Sequence, residues 1–203
     1  GIESNKFYPT YHLGNTHLLE APSITFEQTK KSLLYIGTLT WEANVDGLVW
    51  FLEEIWYGIK IANPEICLSI VGKNPDKRII DLTKNDSSID LVGFVDDLEE
   101  YYSSSRIFIS PLRFGSGIKV KVVNALYRGI PTVTTSIGVE GLDVVHEKEV
   151  MVADNPIEFI ECVNRLMADE NLWQSIVEQS RGLMREKYTW ESVFENVEKA
   201  IYG

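Results

Sequence analysis

Cysteine is scarce: the 203 residues hold two, Cys67 and Cys162, in no C-x-x-C spacing, which indicates neither a disulfide framework nor a zinc site. A reduced, cytosolic setting fits that usage. Histidine is equally sparse, with His12, His17 and His146 scattered and the first two in an irregular leader, so no metal site is expected. Basic charge is in deficit. With 19 Lys and Arg against 30 Asp and Glu, the net charge is −11, which argues against nucleic acid and against a polybasic membrane surface. Any anion site must therefore be local. No stretch approaches the ~20 consecutive apolar residues of a membrane span. Residues 1–20 lack the basic-then-apolar layout of a signal peptide. Internal repeats and low-complexity tracts are absent too. The expected location is cytoplasmic, with peripheral attachment at the inner membrane face left open for a full-length protein.

What is present suits a buried core: 44% of residues are hydrophobic, and single domains commonly run to about 250 residues. Residues 1–30, with Pro9, Gly14 and Pro22, lack sustained periodicity and read as a linker or interlobe segment; residues 31–203 form the domain. Short apolar runs at Leu33 to Ile36, Ile66 to Val71, Ile89 to Val92, Ile107 to Ser110, Thr132 to Thr135 and Val150 to Val152 predict six strands. Val45, Leu48, Val49, Leu52, Ile55, Trp56 and Ile59 follow helical spacing, with Pro64 as the stop. Strands alternating with helices close into a parallel sheet through right-handed crossovers. The expected fold is α/β, a Rossmann-like doubly wound parallel sheet of about six strands with C-terminal helices. Those last helices carry stripes at Phe159, Ile160, Val163, Leu166 and Met167, at Leu172, Ile176 and Leu183, and at Trp190, Val193, Phe194, Val197 and Ile201. Core-facing surfaces are the simplest reading, with Thr189 as N-cap of the last helix; Trp190 and Phe194 docking on a partner domain is the alternative.

Ligands bind outside the carboxyl ends of the strands in such a sheet. Three segments follow strands there: Gly37-Thr38-Leu39-Thr40, Gly72-Lys73, and the run from Pro111 to Lys121. In the third, Gly115 and Gly117 let backbone approach a ligand, Ser116 can cap the next helix, and the helix start presents unpaired N–H groups. Arg113, Lys119 and Lys121 add cations within nine residues. Neither G-x-G-x-x-G nor G-x-x-x-x-G-K-[ST] is matched, so a dinucleotide fingerprint and an NTPase loop are not indicated. A glycine loop with solvated lysines is the bland alternative. Ile118, Val122, Ala125 and Leu126 form the buried stripe of the helix, with Lys121, Asn124 and Arg128 on another face. Asn124 is a poor mid-helix residue, either a ligand contact or merely exposed, roughly 10 Å from the cradle at ~1.5 Å per residue. Gly129-Ile130-Pro131 ends that helix. Glu140, in a further loop at the same edge, is either a contact to a sugar hydroxyl or a solvated carboxylate.

The run PLRFGSGIKVKVVNALYRGIPTVTTSIGVEGL, from Pro111 to Leu142, resembles the donor-binding region of family 4, GT-B-fold glycosyltransferases (glycosyl transferases group 1). YIGTLTWEANVDGLVWF at 35–51, SIVGKNP at 69–75 and GFVDDLEEYYSSS from 93 are similar to other pieces of that lobe, and the resemblance runs from Ser32 to the C-terminus. It implies the C-terminal, donor-binding lobe of an enzyme that transfers a hexose from a nucleoside-diphosphate sugar without a metal or a bound cofactor. The base would lie near Gly93-Phe94-Val95, and the diphosphate on the backbone of Gly115, Ser116, Gly117 and Ile118. Arg113, Lys119 or Lys121 would supply charge, with Asn124 near the ribose. Two departures stand out: Ser116 and Asn124 occupy the positions of the glutamate pair E-x7-E, and Thr38 stands where an Arg is common, with no lysine nearby. The acceptor, saccharide or other, and part of the active site would come from an N-terminal lobe, so residues 31–203 alone would be inactive. A non-catalytic binding module and a sugar-nucleotide epimerase of the same fold are the other classes considered.

Overall fold

The computed structural model describes residues 10–202; Pro9 and the rest of the first nine residues lie outside it, as does Gly203. Six strands, β1 (Lys30–Ile36), β2 (Cys67–Val71), β3 (Ile89–Gly93), β4 (Ser105–Ser110), β5 (Thr132–Thr134) and β6 (Met151–Val152), form one sheet in the order β3-β2-β1-β4-β5-β6. Every pairing is parallel. All six expected strands are present, with ends shifted by up to three residues. The order reverses direction between β1 and β4, and that switch point opens a crevice at the strands' carboxyl ends. β4 is buried along its whole length, as a central strand covered on both faces must be.

The crossover after β1 comprises α1 (Glu42–Trp50), a π turn over Phe51–Ile55 and α2 (Trp56–Ala62). The apolar stripe of the sequence survives this wide turn: Val45, Leu48, Leu52, Ile55, Trp56 and Ile59 are all buried. Next come α3 (Lys77–Thr83), α4 (Glu99–Ser104), α5 (Val120–Arg128), α6 (Pro156–Ala168), α7 (Glu170–Lys187) and α8 (Trp190–Tyr202). Right-handed crossovers leaving the switch point in opposite directions put α1 to α3 on one face and α5 on the other, where α7 packs against it. Gly129 ends α5 as expected, in the left-handed region at φ +76°, its N–H donating back to Ala125 and Leu126.

One expectation needs correction. The stripe of α8 does not face the core: Trp190 and Phe194 stack on one another and are more than half exposed, and no described residue of α8 is buried. Periodicity defines an apolar face without saying what covers it. Thr189 does accept from Ser192 N–H at 3.2 Å, so the N-cap forms. Residues 10–29 form no strand and are tightly held against the domain. Ile24 is buried in the main core, and Tyr11, Leu13, Leu18 and Leu19 pack on a second cluster of Val122, Val123, Leu126, Tyr127, Met184 and Tyr188.

Three buried arginines fix the leader by donating to its carbonyls. Arg181 reaches Leu19 O (2.7 Å) and Ala21 O (2.9 Å), Arg128 reaches Pro22 O (2.8 Å), and Arg106 reaches Phe26 O (2.9 Å). Irregular backbone near a core must find partners for its polar groups, and guanidinium forks supply several donors each. Arg181→Ala is therefore expected to cost about 1.5–3 kcal/mol. Thermal unfolding should register roughly 2–4 °C for each kcal/mol, and limited proteolysis should then cut within residues 10–24. An unchanged melt and an uncut leader would show that the forks contribute nothing.

Candidate functional site

The crevice at the switch point is built from loops that approach closely. Gly37 N–H donates to Val71 O at 3.0 Å, and Gly72 N–H donates to Gly93 O at 2.8 Å. A Cβ on Gly72 would lie 2.1 Å from Gly37 O, and one on Gly47 in α1 would lie 2.2 Å from Pro111 O, so both positions require glycine. Thr134 Oγ1 donates to Ser110 O at 2.7 Å and Thr135 Oγ1 to Leu112 O, tying the loop after β5 to the one after β4.

Between the β4 loop and α5, Gly115 and Gly117 take φ of +118° and +80°. These values turn the chain before the helix begins, so α5 starts only at Val120, with Lys119 at the N-cap and no capping side chain. Ser116 therefore stays exposed and does not cap the helix, contrary to expectation. The first N–H groups of α5 lack intrahelical partners and carry the positive end of the helix dipole.

Lys121 is the central side chain. Its Nζ donates to Asn44 Oδ1 at 2.7 Å and to Tyr35 OH at 3.2 Å, and lies 4.6 Å from the centre of the Tyr35 ring. Both partners are neutral; burial pushes the Tyr35 hydroxyl far above its usual range, so it stays protonated. Burial, then repulsion from Lys119, lowers Lys121 to about 7. Lys119 takes another direction: its buried ammonium donates to Gly117 O and lies 3.5 Å from Glu140, a half-exposed carboxylate at the rim.

Two adjoining hollows share Gly37 and Thr38. One, about 280 Å3, lies among Trp41, Asn44, Ser116, Ile118, Lys119 and Lys121. The other, about 380 Å3, is mainly apolar, between Val71, Lys73, Phe94, Val95 and Leu98, with the Lys73 ammonium 3.7 Å from the centre of the Phe94 ring. Gly37, Thr38, Phe94, Val95, Ser116, Ile118, Lys119 and Lys121 thus meet around one crevice. Gly93, Gly115 and Gly117 shape its loops, each at positive φ.

Two predicted residues are engaged elsewhere. Arg113 forms a two-pronged pair with Asp46 (2.9 and 2.5 Å) on the exposed side of α1. Asn124 Oδ1 accepts from Asn15 N–H at 2.8 Å and abuts Gly14, so its amide serves the leader. Sequence reasoning missed Tyr35, Asn44 and Trp41. Asn44 carried a usable signal, a polar residue one turn before Leu48 on the buried stripe of α1; Tyr35 in a buried strand carried none. Among the described residues no group of three or more His, Cys, Asp or Glu is arranged to hold a metal ion, and no helix is long and apolar enough to cross a membrane.

Comparison with known proteins agrees with this architecture. Among curated proteins, the chain is 26% identical over 181 residues to an uncharacterized 44.6 kDa protein in the cps region of Klebsiella pneumoniae, covering 86% of this chain and 47% of that protein. It is 24% identical over 180 residues to an uncharacterized glycosyltransferase of Methanocaldococcus jannaschii, covering 84% and 44%. The chain therefore spans about half the length of these relatives. Among solved structures it is similar to S. aureus TarM in complex with UDP, at TM-score 0.73 and 17% identity, covering 96% of this chain and 38% of that one. Anabaena HepE in complex with UDP-glucose gives TM-score 0.71 at 11% identity, covering 94% and 56%. The C-terminal domain of the group 1 glycosyl transferase LpcC from Francisella tularensis gives 0.64 at 16%, covering 94% of this chain and all of that domain. These likenesses establish the GT-B-type fold of the lobe. The family model for glycosyl transferases group 1 matches residues 30–169, more than half of the sequence, and the chain belongs to that family.

Proposed function

We propose that this chain is the donor-binding lobe of a glycosyltransferase and that its crevice holds a nucleoside-diphosphate sugar. The observation that carries this reading is Lys121: an ammonium at the open end of the sheet whose partners are neutral, beside the unpaired N–H groups of α5. A diphosphate there would complete both. The apolar hollow at Phe94 and Val95 suits a nucleobase, and Thr38 lies between the two hollows. Glu140, close to Lys119, suits a sugar hydroxyl at the rim.

Transfer requires the bond from the anomeric carbon to the β-phosphate oxygen to break, the electron pair leaving with the diphosphate while an acceptor oxygen attacks the carbon. Charge grows on the departing phosphate, and fixed N–H dipoles with Lys121 and Lys119 oppose it there. These groups supply the charge stabilisation without a metal. The acceptor and any general base belong to the rest of the protein.

Calorimetric titration of the chain with UDP-, GDP- and ADP-glucose tests the reading. At least one should bind at millimolar concentration or below, and Lys121→Met should weaken it at least tenfold; no heat with any of the three would contradict it. These ligands carry no group that titrates near neutral pH, so Lys121 sets the pH profile. Ligand charge raises its pKa above the free value of about 7, so binding takes up a proton at higher pH. Affinity should be level below pH 7 and fall above it, by at most tenfold per unit.

The same lysine costs stability when charged. Its folded pKa lies below its unfolded one, so the unfolded chain binds more protons between about pH 7 and 10.5, and this residue's contribution to stability rises with pH there. Lys121→Met should therefore raise the melting temperature at pH 7, by an increment that shrinks towards pH 10. A lowered melting temperature would show that the ammonium is well solvated.

A further inference from the structure

Lys121 is aimed by an amide, and the choice of amide matters. Asn44 sits in the first turn of α1 and is 3% exposed. Both ends of its side chain are used. Oδ1 accepts from Lys121 Nζ at 2.7 Å, while Nδ2 donates to Thr38 O at 3.0 Å. One buried side chain thus links the loop after β1, the start of α1 and the ammonium on α5, three of the walls of the smaller hollow. Tyr35 completes the shell around Nζ from β1.

The charges around Nζ are all accounted for by these elements. From β1 comes the phenol of Tyr35, and from the loop before α5 comes Lys119, whose own ammonium lies near Glu140. From α1 comes only neutral Asn44, because the carboxylates of that helix are taken elsewhere: Glu42 by Arg78 at 2.7 Å and Asp46 by Arg113. Aspartate has nearly the same shape as asparagine and would satisfy Lys121 better. It would also cancel the charge, leaving little for an anionic ligand, since an ion pair sheltered from water is strong.

Resting on the donor-site reading above, we infer that Asn44 is a positioning residue for the donor diphosphate: a neutral acceptor that aims Lys121 into the crevice without neutralising it and fixes the Thr38 loop with the same amide. The loop after β1 offers no cation of its own, since Gly37 to Trp41 include no Lys or Arg while Gly37, Thr38 and Trp41 line the hollow. Lys121, held this way, carries the diphosphate charge that the loop lacks. The arrangement makes the carboxamide, rather than its size, the functional feature.

The test compares Asn44→Asp, Asn44→Ala and Lys121→Met with the unaltered chain, titrating UDP-, GDP- and ADP-glucose between pH 6 and 9 alongside thermal melts. Asn44→Asp should fold with an equal or higher melting temperature, bind at least tenfold more weakly at pH 7, and lose the fall in affinity above pH 7, because its carboxylate keeps Lys121 protonated. Asn44→Ala adds no charge; it should bind more weakly while keeping the unaltered chain's pH profile. Equal losses in both variants with the unaltered pH profile would make Asn44 a packing residue and overturn the inference. So would Asn44→Ala binding as tightly as the unaltered chain. Binding that Lys121→Met removes but Asn44→Asp leaves unchanged overturns the inference alone. No binding by the unaltered chain overturns the donor-site reading, and the inference with it.

Discussion

An ammonium group held between an amide oxygen and a phenol, with no carboxylate against it, is the constraint on which the rest of the crevice depends. Burial makes a charged lysine expensive, and two neutral hydrogen bonds recover only part of that cost. Protein interiors normally pair such a group. Leaving Lys121 unpaired at the switch point of the sheet is intelligible when an anion is expected there, because the ligand then supplies the missing charge in a shielded place where it acts strongly. The surrounding geometry serves that end. Gly115 and Gly117 delay the start of α5 so that its first residues line the same hollow, and Gly37, Gly47 and Gly72 let the loops approach closely enough to wall it in.

The fold was legible because its signals are periodic. Six apolar runs spaced by helices permit little other than a parallel sheet, and their carboxyl ends mark where the loops of interest lie. The glycine loop was legible for the same positional reason. What escaped was decided by tertiary neighbours. Arg113 reads as a phosphate ligand within its own segment, yet Asp46, far away in sequence, captures it. Asn124 reads as a mid-helix oddity awaiting a ligand, and Asn15 of the leader meets its oxygen. Tyr35 and Asn44 lie in segments whose local pattern says strand and helix and nothing more. The orientation of α8 is of the same kind: helical spacing defines its apolar face, and the described residues leave most of it exposed.

The leader shows how irregular backbone is stabilised. With no ladder to join, its carbonyls are taken by Arg106, Arg128 and Arg181 from three separate elements, so residues 19–29 lie against the sheet without becoming part of it. That path brings Gly14 and Asn15 onto α5 one turn beyond Lys121. A glutamate in place of Asn124 would face the same leader backbone, so the asparagine and the close-packed Gly14 belong to a single contact.

The most direct test of this account is the titration of Lys121 itself, followed by NMR of its labelled side chain in the free chain and with saturating donor. The account predicts a midpoint near pH 7 in the free protein that moves well upward when UDP-, GDP- or ADP-glucose is bound. A midpoint in the ordinary lysine range, unmoved by any of the three, would contradict it.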